Sequence, residues 1–213
     1  MADVQPLRAL HYDLQKAGPL GDLIAPPYDV IDAEARKALV ALSLGPASPA
    51  RAHRARAAQS CAHADQLPAR ITIAQARAAV LCLLNRERGA RHMRALRGNA
   101  HLRHAAQGHS RDMVRRHYFE HDTPDGRTVV DRVRASGYLR GGRSWTVGEN
   151  IAWGRGRFAT PEHIVDMWMH SPGHRANILN AAYREIGIGL VRDTPVDGVG
   201  AGATYTTDFG ALG

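Results

Sequence analysis

The 213-residue sequence predicts an α+β domain behind a poorly structured N-terminal extension. Two observations separate helix from strand, and a third sets the extension apart. In several segments after Ile71, apolar residues recur at steps of three and four, the period of a helix with one buried face. Near the C-terminus "EIGIGLV" and "GATYTTDFG" instead alternate like neighbouring strands, and the Gly/Asp/Pro loop between them suggests a hairpin. Residues 44–70 are rich in Ala, Arg, Pro and Ser without a stable apolar period, and read as linker.

Residues 1–43 mix short apolar runs with turn signals. Pro26-Pro27 forces extended backbone before a turn into a helix over 32–42, N-capped by Asp32. After the linker the pattern is continuously globular, which gives a domain over 71–213. Thr72 caps a helix over 73–88 that carries Ala76, Val80, Leu83 and Leu84 at helical spacing and stops at Gly89. Asn99 caps a second over 100–117, where Leu102, Ala105, Ala106, His109 and Met113 share one face, so His109 points inward. A Pro-Asp-Gly turn in "YFEHDTPDG" precedes a third helix over 128–136, ended by Gly137. A Gly-rich loop leads into "TVGENIAWG"; Thr160-Pro161 then opens a fourth helix to Met169, and Pro172 starts a short fifth.

Composition narrows the classes. Hydrophobic content of 44% and charged content of 23% are ordinary for a globular protein. No stretch approaches the roughly 18 to 20 apolar residues that cross a bilayer. The net charge of +8 is mostly arginine spread along the chain, and aromatics are only 6%, so nucleic acid is not an expected partner. The N-terminus shows no basic stretch followed by an apolar run, hence no visible secretory signal. Cys61 and Cys82 lie in no zinc-type C-x-x-C pair; they are either two free thiols or one disulfide.

Three polar residues sit where packing does not ask for them: His121 after "YFE", Glu149 in "GENIA" and His174 in "SPGHR". Each is at the edge of an element beside small residues. Two imidazoles and a carboxylate are a common ligand set for zinc, and the same trio serves equally as acid, base and orienting group. His109 reads as a buried, hydrogen-bonded histidine supporting them, and Asn150 as a tie for the backbone beside Glu149. Trp168 reads as core, His170 and Arg175 as solvated. The Pro172-Gly173 turn places His174 at a helix start, whose dipole lowers an imidazole's pKa.

The run "HSRDMVRRHYFEHDTPDG…GENIAWG…VDMWMHSPGHRANILN…EIGIGL…YTTDFG" resembles the bacterial branch of the CAP superfamily (cysteine-rich secretory, antigen 5 and pathogenesis-related proteins), from about 73 to 210. The resemblance implies a three-layer α-β-α sandwich with a central cleft built on a His/Glu/Glu/His tetrad. His121, Glu149 and His174 match three of its members. The second Glu is missing, because Trp168 is followed by Met169, His170 and Ser171; Ser171 or Glu162 are its candidate replacements. The implied cleft is His121, Glu149, His174, Asn150, Ser171 and His109, with His121 and His174 as ligands of zinc or another divalent cation. A small-molecule, lipid or cell-envelope ligand is the implied partner of a monomeric binding domain. The alternative is a zinc-dependent hydrolase of envelope material in which Glu149 activates water. The missing Glu and the lack of a G-x-S-x-G nucleophile favour binding. The resemblance also implies a Cys61–Cys82 disulfide and an extracellular location. Residues 1–43 resemble the start of the DUF1015 family, too short a piece to fold as that domain does, and residues 1–60 are expected to contribute little to the fold.

Overall fold

Capping residues set where each helix begins. The computed structural model describes residues 60–213, so the helix expected over 32–42 and the DUF1015-like segment lie outside the described residues. In α1 (Ile73–Gly89) the Thr72 hydroxyl accepts from Gln75 N while the Gln75 side chain accepts from Thr72 N, satisfying two helix-end donors at once. Asn99 accepts from His101 N and Leu102 N to open α2 (Ala100–Arg116), which ends where His117 turns left-handed at φ 53°. Thr128 and Asp131 form a second reciprocal cap on α3 (Val129–Ala135). α4 (Pro161–His170) and α5 (Pro172–Ile178) each start with proline, whose missing N–H costs nothing there.

Among the described residues four strands, β1 (Arg97–Gly98), β2 (Trp145–Arg155), β3 (Glu185–Val191) and β4 (Gly202–Leu212), form one sheet in the order β1-β3-β4-β2. The expected hairpin is β3–β4, antiparallel with Ile188 opposite Thr207. β1 pairs parallel to β3, and β2 pairs antiparallel to β4 along its whole length.

Alternation divides the two faces. Ile186, Ile188, Leu190, Tyr205, Phe209 and Ala152 point to one side, where they meet Val80, Leu83 and Leu84 of α1, Ile164 and Trp168 of α4 and Ile178 of α5. The other side carries Gly187 and Gly189, and α2 lies directly on them. A Cβ on Gly187 would sit 2.0 Å from Leu102 C and Arg103 N, and one on Gly189 2.3 Å from Ala106 O. The "IGIG" pattern is thus a core stripe alternating with a smooth bed for a helix backbone. Leu102 and Ala105 of α2 continue into a second cluster with Val133 and Tyr138 beside α3. The result is the three-layer α-β-α arrangement.

The structure moves one boundary. Residues 61–70, expected as linker, belong to the compact unit that starts at Cys61. The staple is covalent: Cys61 and Cys82 form a disulfide with Cα atoms 5.7 Å apart. Ala64 is buried, and its carbonyl accepts from Glu162 N at 2.8 Å. No apolar period announces such a segment, because a disulfide and two or three buried side chains hold it instead. Closing this loop stabilises the fold by about 3 kcal/mol on the chain-entropy account.

Candidate functional site

Glu149 is the centre of the site. It projects from β2 onto the α2–α3 side of the sheet, with its side chain only 2% exposed. Its Oε1 accepts from His121 Nδ1 at 2.8 Å and its Oε2 from Arg132 Nη2 at 2.7 Å. Burial alone would push this carboxyl up, but the His121 hydrogen bond and the Arg132 charge win and hold it at about 2. Glu149 is therefore ionised at any physiological pH.

His121 comes from the loop between α2 and α3. The Pro-Asp-Gly turn shapes that loop, with Gly126 at φ 80° and Gly126 N bonded to Thr123 O at 2.7 Å. From beneath, His109 is fully buried in α2, and its Nε2 donates to Glu120 O at 3.1 Å, next to His121 in sequence. Burial lowers the His109 pKa, so the ring is neutral and acts as a prop; its Nε2 is 3.8 Å from Glu149 Oε1. The His121 side chain is 54% exposed. With Nδ1 spent on Glu149, its Nε2 is the nitrogen available to a ligand.

His174 approaches from the opposite helix layer, on α5, which runs along the outer edge of β2. Asn150 donates to His174 O at 3.1 Å, and Asn177 donates to both Glu149 O (3.0 Å) and Asn150 Oδ1 (2.9 Å). These ties hold the "GENIA" and "SPGHRANIL" segments against each other. The far end of α5 is held by Arg88, fully buried, which donates to Ile178 O, Asn180 O and Arg94 O. The His174 pKa falls to about 4, first through burial and then through the nearby His121 charge. Desolvation by the surrounding layer acts in the same direction as the helix dipole expected from the sequence. Among the described residues no side-chain hydrogen bond joins His174 to Glu149. Ser171 occupies the N-cap position of α5 without a capping bond, and Glu162 is exposed on α4. His170 and Arg175 are exposed, and Trp168 is core, its indole donating to Ile151 O at 3.0 Å.

Two residues at this centre escaped sequence reading: Arg132 and Asp208. Arg132 is 9% exposed at the side chain and also donates to Arg127 O. Asp208 on β4 lies directly opposite Glu149, is fully buried, and no donor reaches either of its carboxyl oxygens. Burial and then the Glu149 charge push its pKa well up, so Asp208 is the neutral member of the pair. The signal available in sequence was a charged residue at an inward position of a strand otherwise lined by threonine and glycine.

A divalent ion fits this donor set poorly. Both Glu149 oxygens are already engaged, one of them by a permanent guanidinium cation that repels a second positive charge. Among the described residues no three His, Cys, Asp or Glu side chains are grouped to hold a metal.

The three-layer sandwich of helices on a four-stranded sheet is the fold of CAP-type domains. The sequence pattern of the cysteine-rich secretory protein family (CAP) matches residues 81–207, more than half of the chain, and the chain belongs to that family. It is 35% identical over 130 residues to the uncharacterized protein YkwD of Bacillus subtilis, spanning 61% of this chain and 45% of that one. Over 87 residues it is 33% identical to the uncharacterized membrane protein YlbC of the same organism, covering 41% of this chain and 23% of that protein. The chain thus spans less than half the length of these relatives. Among solved structures, an extracellular protein containing a SCP domain from Bacillus anthracis superposes with a TM-score of 0.51 at 26% identity, over 65% of this chain and 43% of that one. An outer surface protein of Borrelia burgdorferi shares the fold, with a TM-score of 0.56 at 17% identity over 67% and 97% of the two chains. Among the described residues no helix is long and apolar enough to cross a membrane.

Proposed function

We propose that this chain is a bacterial extracellular binding protein whose cleft takes a small polar group of a cell-envelope ligand on the imidazoles of His121 and His174. The observation that carries the reading is the Glu149–His121 bond: a buried, ionised carboxylate fixes the ring, and the opposite nitrogen is left for a visitor. His174, neutral through burial, offers a second imidazole from across the cleft. Extracellular placement is supported by the descriptions of the Bacillus anthracis and Borrelia proteins, and by a disulfide, which persists where thiols are oxidised.

Hydrolysis is the second reading, and one observation favours it. A carboxylate that orients a histidine is also what a general base requires, with water as the attacking group. One experiment separates the two. Soluble peptidoglycan fragments are titrated into the full chain while the imidazole resonances are followed by NMR and the fragments by mass spectrometry. Binding shifts the His121 and His174 signals with the fragments intact, and hydrolysis shifts them and yields products. No shift, or a shift unchanged in His121→Ala, refutes both readings. Repeating the titration with one equivalent of zinc chloride checks the metal expectation independently.

A further inference from the structure

The sheet has a second edge, far from His121. β1 covers only two residues of β3, Glu185 and Ile186, and beyond them Gln107 of α2 stands in for a strand. Its Oε1 accepts from Leu190 N at 3.0 Å and its Nε2 donates to Leu190 O at 3.1 Å. The same oxygen accepts from Arg77 Nη2, which brings this α1 guanidinium across the seam between α1 and α2. Arg103 and Arg111 lie four residues before and after Gln107, one turn away on the same side of α2. Arg77 is half-buried, and the other two are exposed.

What marks this group among the described arginines that lack a counter-charge is the buried, unpartnered guanidinium nitrogen of Arg77, with two like charges beside it. Arg91, Arg115, Arg116, Arg127, Arg132 and Arg134 each have a carboxylate at ion-pair distance. Among the described residues none of Arg77, Arg103 and Arg111 does, and Arg77 Nε is buried without a hydrogen-bond partner. Burial, then the charges of Arg103 and Arg111, lower the Arg77 pKa, as expected where like charges meet in a partly dry seam. An anion entering there relieves the repulsion, and a guanidinium fixed in advance by Gln107 binds it with little ordering cost.

We propose that Arg77, Arg103 and Arg111 form a binding site for a phosphoryl-type oxyanion at the α1–α2 seam, on the opposite edge of the sheet from the cleft. The planar donor fork of Arg77 matches a tetrahedral oxyanion, and the charges of Arg103 and Arg111, near enough to act on Arg77, add to its attraction for one.

The test uses the full chain at a constant ionic strength of about 0.15 M, where exposed charges beyond roughly 8 Å are screened. One arm titrates inorganic phosphate and pyrophosphate against sodium chloride, following arginine side-chain NMR signals. The other measures co-sedimentation with phosphatidylglycerol vesicles against phosphatidylcholine vesicles. Saturable binding in the first arm identifies a soluble phosphoryl group. Binding in the second alone identifies one displayed on a lipid surface. In either case Arg103→Gln/Arg111→Gln weakens it about tenfold or more, by loss of charge-assisted hydrogen bonds. The charge-matched control Arg86→Gln/Arg94→Gln leaves it unchanged. All four substitutions are at exposed positions, so the variants fold. No saturable binding in either arm, or equal loss in the two double variants, overturns the proposal.

Discussion

Glu149 and Asp208 share one negative charge against Arg132, and a double-mutant cycle exposes that sharing. Asp208→Asn replaces a neutral acid by a neutral amide of the same shape. The folded pKa of Asp208 is raised, so its contribution is full below the unfolded value near 4 and is lost as pH rises through the folded one. At pH 7 the substitution should therefore be neutral or stabilise by up to about 1 kcal/mol. Glu149→Gln removes the carboxylate that opposes Arg132, but Asp208, still buried yet released from its charged neighbour, should then ionise more readily and oppose Arg132 in its place. The loss should be about 1–2 kcal/mol, mostly from weaker hydrogen bonds to His121 and Arg132. The double variant leaves a buried guanidinium uncompensated, which costs roughly 3–5 kcal/mol. The excess over the sum of the single changes is then at least about 2 kcal/mol, far above the scatter of independent sites. Urea unfolding of the four proteins at pH 7, with m-values checked for constancy, measures it. Effects that add to within about 0.5 kcal/mol would refute the shared charge.

Other outcomes follow from the same structure. His174 has a folded pKa of about 4 against roughly 6.5 unfolded, so its stabilisation is complete above pH 6.5 and is lost as pH falls toward 4. That amounts to at most about 3 kcal/mol, with buried His109 acting in the same direction, and His174→Gln should flatten the Tm-against-pH curve in this window; an unchanged slope counts against it. Gly187→Ala drives a Cβ into the α2 backbone and should cost about 3 kcal/mol or more, seen as a drop in Tm of ten degrees or so. A normal Tm would mean that α2 does not lie on that strand. Reducing Cys61–Cys82 should lower stability by about 3 kcal/mol while leaving the His121 NMR signals in place, because the bridge tethers the segment before α1 and not the cleft.

Helices were legible where a capping residue precedes them, as Thr72, Asn99 and Thr160 do, while the cap on α3, Thr128, read as that helix's first residue. The β3–β4 hairpin was legible from its alternation. β2 was not read as a strand, since Gly148, Gly154 and the polar Glu149 and Asn150 obscure its period. The glycines are there because neighbours come too close for a Cβ, with Tyr183 Oη 2.3 Å from that of Gly148 and Phe158 O 2.2 Å from that of Gly154. The same applies to the site. Motif resemblance singled out His121, Glu149 and His174, and their roles in a ligand site remain a proposal. Arg132 and Asp208 could not be found that way, because a long-range charge balance between α3 and β4 leaves no local spacing to read.

One feature of β2 reaches beyond the cleft. As the last strand of the sheet it offers outward carbonyls that a foreign strand could use, yet those of Glu149 and Ile151 are taken by the Asn177 amide and the Trp168 indole. Asn177, which ties α5 to the sheet beside His174, thus also helps deny this stretch of edge to a neighbouring molecule. Loss of Asn177 would then act twice, loosening the Asn150–His174 contact and opening a template for self-association, so the seating of α5 and the protection of this sheet edge rest on the same bonds.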